Sequence, residues 1–494
     1  MSAPVASVLP AVALLPMVAA VPIALSGRWP NLREAWSAAA AAGVMGTTLA
    51  MAPAVHDGFS PEAILFTLVP GASFVLRADP LGLVFAALCA GLWLLTTAYS
   101  VGYVRALEEH AQTRYFCCFA VCVGAATGVA LAGNLITFLL FYELLTLATY
   151  PLVVHKETPD AIRVGRIYLA YTLGAGACLL GGLAGVHVVA GTTTFRPGGI
   201  VAAGTSTAVV WGLFSLLLIG VGVKAAIMPL HAWLPLAMIA PTPVSALLHA
   251  VAVVNAGVFG VIRVTGFVIG PERLVESGAA TFLAVLASAT ILLASLVALT
   301  QDNLKRLLAF STVSQLSYIV LGTALFTRES LTGAVQHMVN HGTLKITLFF
   351  CAGAIYVATG RERVSELAGL GRRLPVTMGV FAVAALSLAG IPPAAGFLSK
   401  WYLIEGALQA HAWLATGVLL GSSLLNLAYF VPIISTAFFK PLAGGDAVSE
   451  PSPLIIVPLI LSCLLGVTLG VAPNVLVGTL DLARIVARTV LGAP

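Results

Sequence analysis

The segment KAAIMPLHAWLPLAMIAPTPVSALLHAVAVVN runs from Lys224 to Asn255 and places two ionisable groups, Lys224 and His249, deep in apolar sequence. The uncharged run VWGLFSLLLIGVGV leads into Lys224, which predicts that its ammonium lies near the middle of a membrane-crossing helix. Pro229 and Pro235 then interrupt that helix and free backbone groups that, at this depth, only a protein-lined or wet cavity can satisfy. A charge at the bilayer centre costs roughly 2.5–3.5 kcal/mol on insertion scales. The segment therefore predicts half of an ion path.

Composition places the whole chain in a membrane. The sequence is 60% hydrophobic and 9% charged, against roughly 25% charged residues in soluble domains. Mean hydropathy is +1.03. The apolar runs are continuous and do not alternate, which excludes a β-barrel. The net charge of +5 is modest and gives no reason to expect nucleic acid as a partner. The seven cysteines lie inside apolar runs without iron–sulfur or zinc spacing, so we expect no cofactor and no metal.

Apolar run lengths predict an all-α polytopic protein with about fourteen transmembrane helices. A final amphipathic piece, NVLVGTLDLARIVARTVL, is expected to lie against the surface or a partner. The predicted spans are 4–26, 35–53, 79–104, 114–132, 134–155, 164–190, 208–228, 242–267, 276–299, 306–326, 330–358, 376–407, 411–439 and 453–473.

Basic residues are divided unequally between the two sets of connections. Fourteen follow odd-numbered spans, whereas six lie in the other connections and the tail, or seven with Arg263 near the end of the eighth span. The positive-inside rule therefore predicts that the odd-to-even connections are cytoplasmic and that both termini are outside. The first set is Arg28, Arg33, Arg105, Arg114, Lys156, Arg163, Arg166, Lys305, Arg306, Arg361, Arg363, Arg372, Arg373 and Lys440, and the second is Arg77, Arg196, Arg273, Arg328, Arg484 and Arg488.

Few ionisable groups remain inside the spans, and intramembrane charges mostly mark pathways. We predict that a proton relay uses Glu143, Lys224, His249, His337, His341, Lys345 and Lys400. HMVNHGTLKITLFF spaces two histidines and Lys345 four residues apart, so they form a polar stripe about 12 Å long on one helical face. A zinc site at the HxxxH pair is disfavoured, because no acidic or cysteine third ligand lies nearby and the lysine repels a cation.

Glu143 is the only carboxylate central to a span, so a partner is expected, and a lysine is the natural candidate. Desolvation favours neutral lysine, whereas a carboxylate in contact favours the ammonium. Glu143 would thus act as a switch on Lys224, provided that the two touch. A static ion pair that fixes helix packing is the alternative. His231 and Trp233 lie beside the break, and they are as suited to anchoring it as to carrying protons.

A second span is broken beside a lysine, in SLAGIPPAAGFLSKWYLIEG, which contains Pro392, Pro393 and Lys400. Interrupted helices in both halves of a membrane chain suggest inverted repeats around a midplane pathway. The lysine precedes the break in one case and follows it in the other, so the symmetry of the sequence is weak.

Three segments, KAAIMPLHAWLPLAMIAPTPVSALLHA, HMVNHGTLKITLFFCAGA and SLAGIPPAAGFLSKW, resemble signature segments of Mrp-type antiporter subunits and of the antiporter-like subunits of complex I. The resemblance covers about residues 79–440. It implies fourteen helices with two inverted five-helix repeats and broken seventh and twelfth helices. It also implies that Glu143 and Lys224 form a modulating pair, that His249 and Lys345 form the central relay and that Lys400 is the terminal lysine.

The resemblance also implies a division of the chain. Residues 1–106 hold helices 1–3, 107–270 the first repeat, 271–440 the second, and 441–494 helix 14 with the amphipathic tail. Asn255 departs from the pattern, because many relatives carry a lysine there, which leaves His249 to bridge the two half-channels alone. Length and the loop TGRERVSELAGLGRRLP look most like the D-type member of the Mrp antiporter family.

The resemblance implies a proton-translocating subunit of a multisubunit Na⁺/proton antiporter in the inner (plasma) membrane, with other hydrophobic subunits as partners. Protons and Na⁺ are the expected ions, and the chain is expected to have no chemistry of its own. Three alternatives stay open. One is a proton-pumping subunit of a redox complex, either an NADH:quinone oxidoreductase or a membrane-bound hydrogenase. Another is the membrane subunit of a proton-driven inorganic-carbon uptake complex. The third is a structural member of such a complex whose ion path is inactive.

Overall fold

The computed structural model describes residues 3–69, 72–441 and 448–492, which are mostly helical. Twelve helices among them are long and apolar enough to cross a membrane, and two shorter apolar helices, Thr207–Gly222 and Pro375–Ala389, belong to the spans that the sequence predicts to be broken. The predicted all-α membrane architecture is confirmed. Residues 442–447 and 493–494 of the predicted C-terminal division lie outside the described part of the chain.

The helices follow the predicted spans closely. They are α1 (Ala3–Leu25), α2 (Pro30–His56), α3 (Pro80–Ala106), α4 (Gln112–Ala130), α5 (Leu135–Val153), α6 (Pro159–Ala190), α7 (Thr207–Gly222), α8 (Trp233–Leu236), α9 (Thr242–Ala246), α10 (Val253–Arg263), α11 (Pro271–Glu276), α12 (Ala279–Leu299), α13 (Leu304–Ala324), α14 (Arg328–Thr359), α15 (Pro375–Ala389), α16 (Ala395–Gln409), α17 (Trp413–Phe439), α18 (Pro453–Val471) and α19 (Val475–Leu491). Short 3₁₀ turns cover Ala237–Ile239, Val364–Glu366 and Leu370–Arg372.

Both predicted interruptions are present. The first separates α7 from α8, and the Trp233 indole donates across it to the carbonyl of Val223 at 2.7 Å. The second separates α15 from α16, where Gly390 adopts a left-handed conformation at φ 102°. A proline-rich break removes intrahelical hydrogen bonds, so the flanking carbonyls need other donors. The breaks therefore place backbone oxygens without helical partners in the interior of the bundle, where side chains such as Trp233 donate to them.

The eighth predicted span is a helix with two wide turns. Between α9 and α10, residues Leu247–Val251 form a π-helical turn, and a second π turn, Val264–Ile269, follows α10. Every residue of Thr242–Ile269 is buried. Wide turns of this kind occur frequently at functional sites. The first of them carries His249.

α14 is the central helix of the second half. It packs against α13, α15, α16, α18 and α19, and it also contacts α3. Its residues from Ser330 to Ile355 are buried. The amphipathic tail forms α19, whose apolar face lies on α14 and α3, so within this chain it covers the bundle.

A β-hairpin follows α2, where the sequence analysis predicted only a connection. Strands β1 (Glu62–Val69) and β2 (Ala72–Arg77) pair antiparallel. Leu76 also bridges to Ala132, and Asn134 bridges to Thr194. The hairpin therefore joins the connections after α2, α4 and α6 into one cap at one end of the bundle.

The connections sort into two ends. At the end without the hairpin, Arg33 donates to Gln112 at 2.8 Å, which joins the connections after α1 and α3. Further bonds there join Leu304 to Glu362 and Thr377 to Glu450. At the hairpin end, further bonds join Arg196 to Phe267, Thr327 to Gly406 and His56 to Val477. Connections after odd-numbered spans thus meet each other, as do those after even-numbered spans.

Candidate ion-translocation site

The histidine stripe on α14 is fully buried. His337 Nε2 donates to Gln315 Oε1 at 3.1 Å, so its Nδ1 accepts from Ser399 Oγ at 2.8 Å. The rings of His337 and His341 lie 6.2 Å apart. Gln315 belongs to α13 and Ser399 to α16, so the stripe faces the interior between these helices. The predicted single polar face is therefore present.

Lys345 lies one turn further along α14, and its ammonium donates to the carbonyl of Leu308 at 3.0 Å. His249, on the π turn, packs its ring 4.8 Å from that of Phe349. Lys345 lies within electrostatic range of both His249 and His341. The structure thus brings the predicted central residues together from two separate spans.

Neither ring nitrogen of His249 or His341 has a hydrogen-bond partner in the described part of the protein, although both side chains are fully buried. A buried polar atom left without a partner costs about 1–3 kcal/mol. Buried waters commonly satisfy such groups. Both imidazoles therefore have ring nitrogens that are suited to exchange protons with water.

Lys400 lies at the other end of the stripe, on α16. Its ammonium donates to the carbonyl of Ala389 at 2.9 Å and to Ser423 Oγ at 3.3 Å. Ala389 ends α15, so the broken helix supplies the acceptor. The Tyr318 ring lies 5.1 Å from the Lys400 ammonium and 5.4 Å from the ring of His337. The Tyr318 ring is therefore close to both Lys400 and His337, and it links Lys400 to the histidine stripe.

Glu143 and Lys224 lie in the first half, within electrostatic range of each other. Among the described residues no salt bridge joins them, and Glu143 Oε1 has no hydrogen-bond partner. Lys224 instead donates to the backbone carbonyl of Tyr142, with its ammonium 3.6 Å from the centre of the Tyr142 ring. Glu143 packs against Gly176, where a Cβ would lie 2.5 Å from Oε1. The carboxylate is thus directed toward α6.

Lys224 and Lys345 share one local arrangement. Each ammonium binds a carbonyl within a helix, and that carbonyl also accepts a hydroxyl from the threonine four residues later. Thr146 Oγ1 donates to Tyr142 O at 3.4 Å, and Thr312 Oγ1 donates to Leu308 O at 2.9 Å. A helix carbonyl that accepts from both a lysine and a threonine therefore occurs in each half of the chain.

Within the first half, α10 crosses the first break at close range. A Cβ on Gly257 would lie 2.1 Å from the backbone nitrogen of Ala225, so only glycine permits this approach beside Lys224. Asn255 Nδ2 donates to Ala250 O at 2.6 Å, while its Oδ1 has no partner in the described residues. Asn255 is therefore a buried polar group between Lys224 and the π turn, although it lacks the charge of a lysine.

Sequence reasoning missed several buried polar residues. Gln315, Tyr318 and Ser399 contact the stripe, and their only signal was polarity within apolar spans. Lys305 was counted among the basic residues of the connections, yet it is buried and donates to Ala240 O at 3.1 Å beside the first break. The sequence hides this contact because Ala240 lies 65 residues away.

With this geometry in place, comparison with known proteins is informative. A family model described as NADH:quinone oxidoreductase/Mrp antiporter, TM, matches residues 132–426, which is more than half of the chain. The chain belongs to this family. The matched region contains all seven predicted relay residues.

Members of the family from several bacteria resemble the chain over most of its length. It is 34% identical over 377 residues to NADH-quinone oxidoreductase subunit N of Desulforudis audaxviator, covering 76% of this chain and 75% of the relative. It is 33% identical over 437 residues to the A1 subunit of the Na(+)/H(+) antiporter of Staphylococcus haemolyticus, covering 82% of this chain. The chain spans 53% of that relative, about half of its length.

Solved structures share the fold. A chain of the Mrp complex from Dietzia sp. DQ12-45-1b superposes with a TM-score of 0.88 at 24% identity, covering 98% of this chain and 97% of that one. A chain of the membrane-bound sulfane sulfur reductase, an archaeal respiratory membrane complex, superposes with a TM-score of 0.87 at 23% identity, covering 97% of both chains. This family member therefore has a fold found in multisubunit membrane complexes of two kinds.

Proposed function

We propose that the chain is the proton-translocating membrane subunit of a multisubunit Na⁺/proton antiporter. The observation that carries the proposal is the buried polar row along α14, which connects to Lys400 at one end and approaches His249 at the other. The residues that would relay protons are Glu143, Lys224, His249, His337, His341, Lys345 and Lys400.

The row is suited to proton transfer because its groups gain and lose protons in place. Histidine has an unperturbed pKa near neutrality, and its two nitrogens can accept on one side and donate on the other. The bond from His337 Nε2 to Gln315 fixes one tautomer of that ring, so Nδ1 is the nitrogen that accepts from Ser399. The Tyr318 ring lies beside both Lys400 and His337, while its hydroxyl donates to the carbonyl of Leu419 at 3.5 Å.

Glu143 would modulate Lys224 by moving. In the arrangement described, the ammonium is held by a neutral carbonyl and the carboxylate faces Gly176. A rotation of Glu143 toward Lys224 would strengthen the attraction that already acts between them and would retain the proton on the lysine. A return to α6 would weaken that attraction. The pair thus works as a switch because it is not permanently closed.

A redox-driven pump is the second candidate, and one observation favours it. The Desulforudis audaxviator relative, named for NADH-quinone oxidoreductase, is matched over 75% of its length, whereas the Staphylococcus haemolyticus relative, named for an antiporter, is matched over 53%. The same relay would then be driven by electron transfer in partner subunits. Inorganic-carbon uptake is suggested only by the resemblance of the three signature segments.

For either candidate, the proposed setting is the inner (plasma) membrane, with both termini outside and other hydrophobic subunits against the lipid-facing helices. Exposed large apolar side chains on α12, α17 and α18 include Leu293, Leu424 and Leu464, all more than half exposed. Such side chains fit a lipid bilayer or neighbouring membrane subunits.

The test is purification of the intact membrane complex, identification of its subunits by mass, and reconstitution into liposomes. Small hydrophobic subunits without redox proteins, together with Na⁺-dependent proton movement, would support the antiporter. Iron–sulfur or hydrogenase subunits would contradict the antiporter and support the redox-driven pump. A single large soluble zinc protein would indicate inorganic-carbon uptake. Proton movement that survives Lys345→Ala in any of these complexes would contradict the relay itself.

A further inference from the structure

A cluster of possible metal ligands lies outside the relay, at the end of the bundle without the hairpin. Glu109 and His110 follow α3, and His155 follows α5. Each offers one ligand atom, and the three atoms lie within 4.8 Å of one another. His155 Nε2 is 3.7 Å from Glu109 Oε2, and the rings of the two histidines are 4.9 Å apart.

His155 is the unusual member of this cluster. It lies at the end of a span, where solvated histidines are common, yet its side chain is 1% exposed. Neither ring nitrogen has a hydrogen-bond partner in the described residues, although Nε2 is directed at Glu109. A buried imidazole whose ring nitrogens lack hydrogen-bond partners is available as a metal ligand through either nitrogen.

We propose that Glu109, His110 and His155 bind a divalent transition metal of the zinc class. Two imidazoles and one carboxylate form a ligand set that Zn²⁺ accepts, with bonds of about 2.0–2.2 Å and a fourth position left open. Donor atoms in such a tetrahedron lie about 3.4 Å apart. The His155–Glu109 separation of 3.7 Å is already close to that value.

Arg114 and Lys156 place positive charge near His155, and Arg114 is paired with Glu157. Glu157 Oε1 also lies 3.9 Å from His110 Nε2, which adds a second carboxylate at the edge of the cluster. A bound metal would thus join the connections after α3 and α5 at one end of the bundle.

The test is a Co²⁺ titration of the purified full-length protein, with any affinity tag removed. The visible absorption of tetrahedral Co²⁺ should rise to saturation at one ion per chain and disappear when Zn²⁺ is added. His155→Ala and Glu109→Gln should weaken binding by at least the roughly 10–100-fold typical of disturbed metal sites. The matched control is His187→Ala, an exposed histidine near the end of α6, which should bind like wild type.

Thermal unfolding of each variant separates lost ligands from lost fold. If His155→Ala misfolds, the exposed His110→Ala repeats the test. Binding that does not saturate, a spectrum without tetrahedral bands, or equal affinity in wild type and folded Glu109→Gln would each overturn the site. Because these readouts involve no transport, they stand apart from the success or failure of the proposed relay.

Discussion

The three lysines of the proposed relay bind backbone carbonyls. Lys224 binds Tyr142 O, Lys345 binds Leu308 O, and Lys400 binds Ala389 O. A carbonyl accepts a hydrogen bond from an ammonium or from a neutral amine, since both carry N–H donors. A carboxylate would strongly favour the charged form. The sites therefore tolerate either protonation state, which is a requirement for residues that pass protons on.

Lys345 provides the sharpest test at the scale of one residue. We expect Lys345→Ala to abolish proton transport and Lys345→Arg to retain little, because a guanidinium does not deprotonate in a protein. Transport is measured in liposomes that contain the purified complex and a pH-sensitive dye. Near-normal transport by Lys345→Arg would count against proton release from this site.

Glu143→Ala and Lys224→Ala should each abolish ion-coupled transport while the complex still assembles. Assembly should survive Glu143→Ala because the carboxylate holds no standing ion pair, so its removal leaves no charge newly unpaired. The measurement compares transport with the amount of complex in the membrane. His231→Ala, beside the break, should be milder than either. Loss of the protein from the membrane would instead support a packing role for the pair.

The candidate relay residues could be picked out from the sequence because ionisable groups inside apolar runs are costly and therefore rare. The contacts that these residues make could not be predicted from the sequence. Glu143 follows Tyr142 directly, yet the carbonyl of one residue and the side chain of the next point in different directions on a helix. Which of them meets Lys224 depends on how α5, α6 and the first break pack together, and no local pattern records that packing.

At the scale of elements, the close crossing of α10 over the first break is the decisive contact. We expect Gly257→Val to destabilise the protein by at least about 1–3 kcal/mol, because its side chain would overlap the backbone of Ala225. A lower melting temperature of the purified protein is the expected result.

Gly212→Ala is the matched control for that experiment. Gly212 lies on α7, and a Cβ there has nothing within 4 Å. Alanine favours helix over glycine by about 1 kcal/mol, so this variant should melt at the same temperature or higher. Equal stability of the two variants would show that α10 does not approach the break so closely.

Prolines made the two breaks predictable, because a helix interior loses hydrogen bonds at each of them. The π turns around His249 had no such signal, since LLHAV reads as ordinary apolar helix. The hairpin was missed because its strands form in a connection between spans, where run length was the only criterion applied. The inverted repeats implied by the family resemblance remain a prediction.

At the scale of the whole molecule, the bonds between connections carry information about topology. Gly133 donates to Val75 O at 2.8 Å within the hairpin end, and Val364 donates to Asp302 O at 2.6 Å at the other. The order and number of the spans could be read from the apolar runs. Successive connections must then alternate between the two sides of the membrane. Which end is cytoplasmic depends on the charge distribution, so the orientation remains a prediction.

That orientation can be tested with one cysteine at each end of the bundle. Ala202→Cys lies in the connection after α6 at the hairpin end, and Arg373→Cys lies in the connection before α15 at the opposite end, both at exposed positions. Arg373 belongs to the basic-rich set of connections, so we expect a membrane-impermeant maleimide to label Ala202→Cys in intact cells and Arg373→Cys only after lysis. Wild type measures the background of the seven native cysteines. The reverse pattern would place both termini inside and the proposed metal cluster outside, because that cluster shares an end with Arg373.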